Sequence, residues 1–160
     1  MFAKLLPQPI DNTYRGYKVA LWLLGLVVAV RITQSVLIIS NGYATVRDAD
    51  GIPLDTYTPA AAQTVLALFA QLSVWRLIFC LLCGVVLARY RSAVPLMFAL
   101  LLLHYLAVQL ISQFVPLVRV GRPPGGIMNL ILFGLMIVGL ALSLWRRDDS
   151  DLVGGRTRAT

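Results

Sequence analysis

The sequence contains no glutamate, and its seven aspartates, Asp11, Asp48, Asp50, Asp55, Asp148, Asp149 and Asp151, all lie outside its long apolar runs. No carboxylate is therefore placed to work within a membrane. That excludes paired-carboxylate chemistry there and disfavours proton-coupled cation transport, whose carriers usually bury an acid in a spanning helix. Histidine occurs once, at His104, and cysteine twice, at Cys80 and Cys83. A single histidine cannot supply two axial haem ligands within one chain, and no ligand-type residue is close enough in sequence to complete a metal site. No cofactor and no metal is expected, with a haem shared across a dimer left as the one open case. Charge itself is scarce, at 13% of residues against about 25% in soluble domains. Neither a Ser–His–Asp arrangement nor a phosphate-binding loop is present, so an enzyme is disfavoured.

Apolar residues are abundant instead. They make up 59% of the chain, and the mean hydropathy is +0.80, an excess that only lipid can cover. A spanning helix needs about 20 mostly apolar residues, and four runs qualify, at residues 19–40, 60–88, 93–116 and 125–145. The expected fold is an all-α four-transmembrane-helix bundle forming one domain over residues 1–147. An external loop (41–59) joins the first two spans, and a polar tail (148–160) reads as disordered and cytoplasmic. Thr58-Pro59 starts the second span as a capping threonine followed by a proline suited to the first turn. Pro95 and Pro123-Pro124-Gly125 punctuate the third and fourth. The second run exceeds what a bilayer requires, so its first turns should stand in the headgroup region or the helix should tilt. The first run is too long for the apolar core of a cleavable leader and contains Arg31, which favours a retained helix over a signal peptide. The external loop, with Asp50-Gly51 as a candidate hairpin turn, is too short for an independent core.

The net charge of +7 does not point to nucleic acid, because the basic residues flank apolar spans rather than forming a patch. Their distribution orients the protein. Lys4, Arg15, Lys18, Arg89, Arg91, Arg146, Arg147, Arg156 and Arg158 fall on one side, and Arg47, Arg119 and Arg122 on the other. The positive-inside rule then places both termini in the cytoplasm.

Two arginines break the apolar runs, Arg31 and Arg76, each costing about 2.5–3.5 kcal/mol at a helix centre on insertion scales. Arg31 lies thirteen residues beyond Lys18, Arg76 thirteen before Arg89, and His104 thirteen beyond Arg91. At about 1.5 Å per residue the three share a level roughly 20 Å from the inner interface. Gln34, Gln71, Gln109 and Asn129 lie 16 to 18 residues from the corresponding flanks, an amide layer just outward of the arginines. Two readings follow. The amides tie helices together and the arginines reach outward to the interface, or all seven residues line an outward-facing pocket for an anion. A buried cation needs a partner. With no membrane carboxylate available, the candidates are carbonyls, water, Asp55 or its neighbours folding back, an anionic ligand, or an acidic residue on another subunit.

Cys80 and Cys83 form a CxxC pair. In length and span count the chain superficially resembles four-helix membrane oxidoreductases that pass disulfide electrons to quinone. It departs from them because both cysteines sit mid-helix in an apolar run and no second pair exists, a setting that disfavours a reactive thiolate. Tyr14, Tyr17, Trp22 and Trp145 fit interfacial anchoring; Trp75, deep and beside Arg76, does not. Gly139 and Ser143 are a small-xxx-small pair for close packing, within the chain or across a dimer.

The segments PLDTYTPAAAQT, RYRSAVPLMFALLLLH and GRPPGGIMNLILFGLMIVGLALSLWRR resemble a group of small bacterial four-span membrane proteins with no assigned activity. The resemblance covers most of residues 19–147 and implies four helices in a bacterial inner membrane. It brings no catalytic residues. The expected role is a non-enzymatic accessory or interaction subunit whose arginines are neutralised by membrane lipids, a protein partner or a second copy. The alternative is a small carrier or receptor for an anionic or amphipathic molecule.

Overall fold

A computed structural model describes Asn12, Tyr14 and residues 16–121 and 123–145. Four long helices form the molecule: α1 (Lys18–Ser40), α2 (Pro59–Arg89), α3 (Val94–Phe114) and α4 (Pro124–Leu144). All four are long and apolar enough to cross a membrane, and among the described residues there is no strand. The fold is therefore the all-α four-helix bundle that the apolar runs predict, with boundaries within two residues of expectation. Thr58 accepts from the Ala61 amide at 3.3 Å and Pro59 opens α2, as the capping signal requires. The proposed tail and most of the basic residues that orient the chain lie outside the described residues.

Each helix buries one seam, and its positions recur at alternating steps of four and three residues, the period that brings helices together in a left-handed bundle. In α1 the seam runs Ala20, Leu24, Val27, Arg31, Gln34, Ile38; in α2 it runs Leu66, Phe69, Ser73, Arg76, Cys80, Cys83, Leu87. In α4 it runs Gly125, Asn129, Leu132, Met136, Gly139, Ser143. Both intramembrane arginines thus stand on inward seams rather than on lipid-facing surfaces.

α1 is central, packed against α2 on one side and α4 on the other, while α3 packs against α4. α2 and α3 touch little, although only Tyr90 and the short turn Arg91–Ala93 separate them. They meet at that hairpin and part above it. One apolar cluster fills the hairpin half, joining Leu24, Val28, Cys83, Val94, Phe98, Leu132 and Met136. Gly139 is indispensable to it, because a Cβ there would strike the Phe98 ring. With Ser143 also buried, the small-residue pair is an intrachain seam.

The opposite end carries the long loop. At about 1.5 Å per residue the 31 residues of α2 span roughly 46 Å, against a hydrocarbon core of about 30 Å. Its first turns exceed the core and serve as a post for the loop. Ile38, Val46, Ile52 and Leu54 are buried together and packed on Ala62, Val65, Leu66 and Phe69. No hairpin forms at Asp50-Gly51. The chain instead continues from α1 through a helical turn (Gly42–Ala44) into a π-helical turn (Thr45–Ala49), and a 3-10 turn follows at Leu54–Thr56. Helical winding wins because Val46 and Leu54 can then both be buried on the α2 post, which a two-stranded ribbon on nineteen residues could not achieve. Gly51, at φ 72°, makes the reversal, and its carbonyl accepts from the Val120 amide at 2.8 Å. This ties the first loop to the segment preceding α4.

Candidate polar cleft

The apolar cluster stops at the level of Leu101 and Leu132, and the polar residues begin one turn above it. The Arg31 guanidinium donates from one nitrogen to Asn129 Oδ1 at 2.9 Å and to Gln34 Oε1 at 3.4 Å. The α1–α4 seam is thus closed by a charged donor and a neutral acceptor. Charge-assisted bonds of this kind contribute more than neutral ones. Arg76, half-buried on α2, has no hydrogen-bond partner among the described residues. Neither arginine has a carboxylate within 4 Å among those residues; the ion pairs found there belong to the loop, where Arg47 Nε lies 2.9 Å from Asp55 Oδ2.

The loop brings a carboxylate, Asp50, to the start of α4. Its position is set by a close approach at the start of α4, where a Cβ on Gly125 would sit 2.6 Å from the Ala49 carbonyl and 3.2 Å from Asp50 Oδ1. Only a glycine in the first turn of α4 lets the loop in this far. Burial pushes the Asp50 carboxyl above the usual carboxylate range, and Arg119 offsets part of that rise. The loop's other polar contacts are exposed. The Tyr43 hydroxyl donates to Asp55, which holds its phenol above the ordinary value.

The seven residues singled out from the sequence divide into three groups. Arg31, Gln34 and Asn129 are joined by hydrogen bonds, and Arg76 stands half-buried on the inward seam of α2. His104 and Gln109 lie on α3 and are exposed; Gln109 donates to the Tyr105 hydroxyl at 3.2 Å, and Tyr105 stacks on Phe133 of α4 with ring centroids 4.6 Å apart. Gln71 stands apart. It lines a shallow groove on the outer surface of α2 with Ala60, Gln63, Thr64, Ala67 and Leu68. Trp75, 71% exposed, points away from the seam that holds Arg76. Asp50 is the residue that depth counting missed, since a loop residue has no helical register from which to count.

The α3 seam explains why this region stays open. Val94, Phe98, Leu101 and Tyr105 pack inward, and the same four-three steps continue through Val108 to Ser112. Beyond Leu101, however, no residue of α3 is buried. His104 and Gln109 flank this unfilled continuation. Arg31, Arg76 and Asn129 thus stand on inward seams above the apolar cluster, at the end of the bundle beyond the α2–α3 turn, and those two helices touch little. Among the described residues no group of three or more His, Cys or Asp could hold a metal ion. Cys80 and Cys83 are free and buried in the apolar cluster.

No protein-family model, curated protein or solved structure matches this chain.

Proposed function

We propose that this chain is a non-enzymatic protein of the bacterial inner membrane that binds an anionic amphiphile between α2 and α3. The carrying observation is a charge imbalance: Arg31 and Arg76 stand on inward seams, and neither has a carboxylate within 4 Å among the described residues. Asn129 and Gln34 satisfy hydrogen bonds of Arg31 but bring no charge. In a medium of low dielectric a surplus cation is costly until an anion joins it. Where α2 and α3 touch little, a molecule can enter whose head is a phosphate or carboxylate and whose tail stays among the lipids. Guanidinium pairs suit either head. The two arginines support the carrier or receptor role.

The test is the complement of amphiphiles retained through gentle detergent purification, quantified by mass spectrometry. The wild-type chain is expected to retain a stoichiometric anionic amphiphile. The Arg31→Gln/Arg76→Gln chain should retain at least about tenfold less, since each bond to a charged group contributes about 1.5–3 kcal/mol. Equal retention by both chains would sink the proposal.

Both termini are cytoplasmic in this reading, on the strength of nine basic residues against three. In intact cells an impermeant maleimide should label Asp48→Cys but not Lys4→Cys, which should react only after the membrane is opened. The reverse pattern would invert the topology.

A further inference from the structure

The inward seam of α2 is one of two that this helix carries. On its opposite face a second series of positions, spaced by alternating steps of four and three residues from Ala60 to Ala88, is exposed throughout. In heptad terms Thr64, Gln71, Ile78 and Val85 take the a positions, and Ala60, Ala67, Val74, Leu81 and Ala88 the d positions. All but Gln71 are apolar or small. The bundle leaves this face bare: α2 packs chiefly on α1, and 11% of its spanning stretch is buried against 22–28% in the other three helices. Where the small residues fall, the surface is a groove of about 480 Å³ lined by Ala60, Gln63, Thr64, Ala67, Leu68 and Gln71.

Gln71 sets the requirement for whatever covers this face. It stands 18 residues before Arg89, about 27 Å along the helix and so just inside a hydrocarbon core of about 30 Å. It has no hydrogen-bond partner among the described residues, and an amide at such a depth is satisfied across a helix–helix contact. Copies inserted with one topology carry Gln71 at the same depth. An amide both donates and accepts, so two of them related by a two-fold axis along the membrane normal can pair with each other. The rest of the series suits the same arrangement. Small side chains at Ala60, Thr64 and Ala67 let two backbones approach. β-Branched Ile78 and Val85 at a with Leu81 at d favour two strands, and a single polar a position fixes the register. We propose that the outer face of α2 is a homodimer interface, in which α2 helices of two copies pack in parallel along this series and join through Gln71. The contact requires no ligand, so its test is independent of the amphiphile-binding reading.

Two measurements on the full chain test it. The first is oxidative cross-linking, in native membranes, of variants with one added cysteine. Cys80 and Cys83 are buried within the chain, so the wild type gives the background. Val74→Cys, Ile78→Cys and Leu81→Cys should form disulfide-linked dimers; Leu72→Cys on α2 and Leu103→Cys on α3, at residues that are also exposed, should not. Equal cross-linking at all five positions overturns the proposal, as does none above background at the three seam positions. The second is sedimentation equilibrium in density-matched detergent. The wild type should be dimeric, and Gln71→Leu should dimerise about tenfold more weakly. Ala67→Phe, whose ring holds two helices apart, should be monomeric with unchanged helical circular dichroism, because residue 67 is exposed in the single chain. A wild type that is monomeric at every concentration overturns the proposal and leaves this face to lipid or to a different protein. A dimer whose strength neither substitution alters overturns it as well, since the two copies then meet elsewhere.

Discussion

Gly139→Leu is expected to cost the bundle about 3 kcal/mol or more, the upper range for overpacking a filled core. The reason is local and severe. Phe98 is fully buried between α3 and α4, and its ring occupies the space a Cβ on residue 139 would need. Neither partner can yield easily, because Phe98 also contacts the cluster formed with Leu24, Cys83 and Met136, and interiors pack as densely as organic crystals. The milder Gly139→Ala change should lose about 1–3 kcal/mol. Part of that loss should return when Phe98→Leu removes the ring, giving a favourable coupling between neighbours in contact. Reversible unfolding in mixed detergent micelles measures Gly139→Ala, Phe98→Leu and the double variant. Additive losses for Gly139→Ala and Phe98→Leu would show that α3 and α4 do not meet at this seam.

Asn129→Leu is the second large effect, at about 1.5–3 kcal/mol, the range for a hydrogen bond to a charged group. The substitution leaves the Arg31 guanidinium with Gln34 at 3.4 Å as its remaining acceptor. Removing one partner of a buried polar pair strands the other, whereas replacing both with apolar groups is often neutral. The Arg31→Leu/Asn129→Leu chain should therefore recover most of the stability lost by Asn129→Leu alone while failing to retain an anionic amphiphile. Stability and ligand retention thus separate within one pair of residues. A double variant less stable than Asn129→Leu would mean that Arg31 holds the bundle together through contacts other than Asn129.

Much of this site was legible before any tertiary contact. Rise per residue is nearly constant in a helix, so counting from basic flanks placed Arg31, Arg76 and His104 at one level; the structure sets both arginines on inward seams and leaves His104 exposed on α3. Counting heights says nothing about azimuth, which is why Gln71 was grouped with them although it faces the outer groove of α2. A usable signal existed. The four-three steps through Phe69, Ser73, Arg76 and Cys80 bypass residue 71, so the seam period excludes Gln71 from the interior. No comparable signal marked Asp50. Its position depends on Gly51 turning the loop, on Gly125 leaving a gap and on the Val120 amide, residues that lie far apart in the chain.

The sequence by itself determined the number of helices, their ends and the height of each polar group, because apolar run length, capping residues and helical rise are local properties. Only the tertiary structure decided that Arg31 turns to Asn129 and that Asp50 lies against Gly125 at the start of α4. It alone left α2 and α3 with little contact beyond the turn that joins them. Those outcomes depend on which helices become neighbours and where backbones can approach, and packing between distant segments sets both.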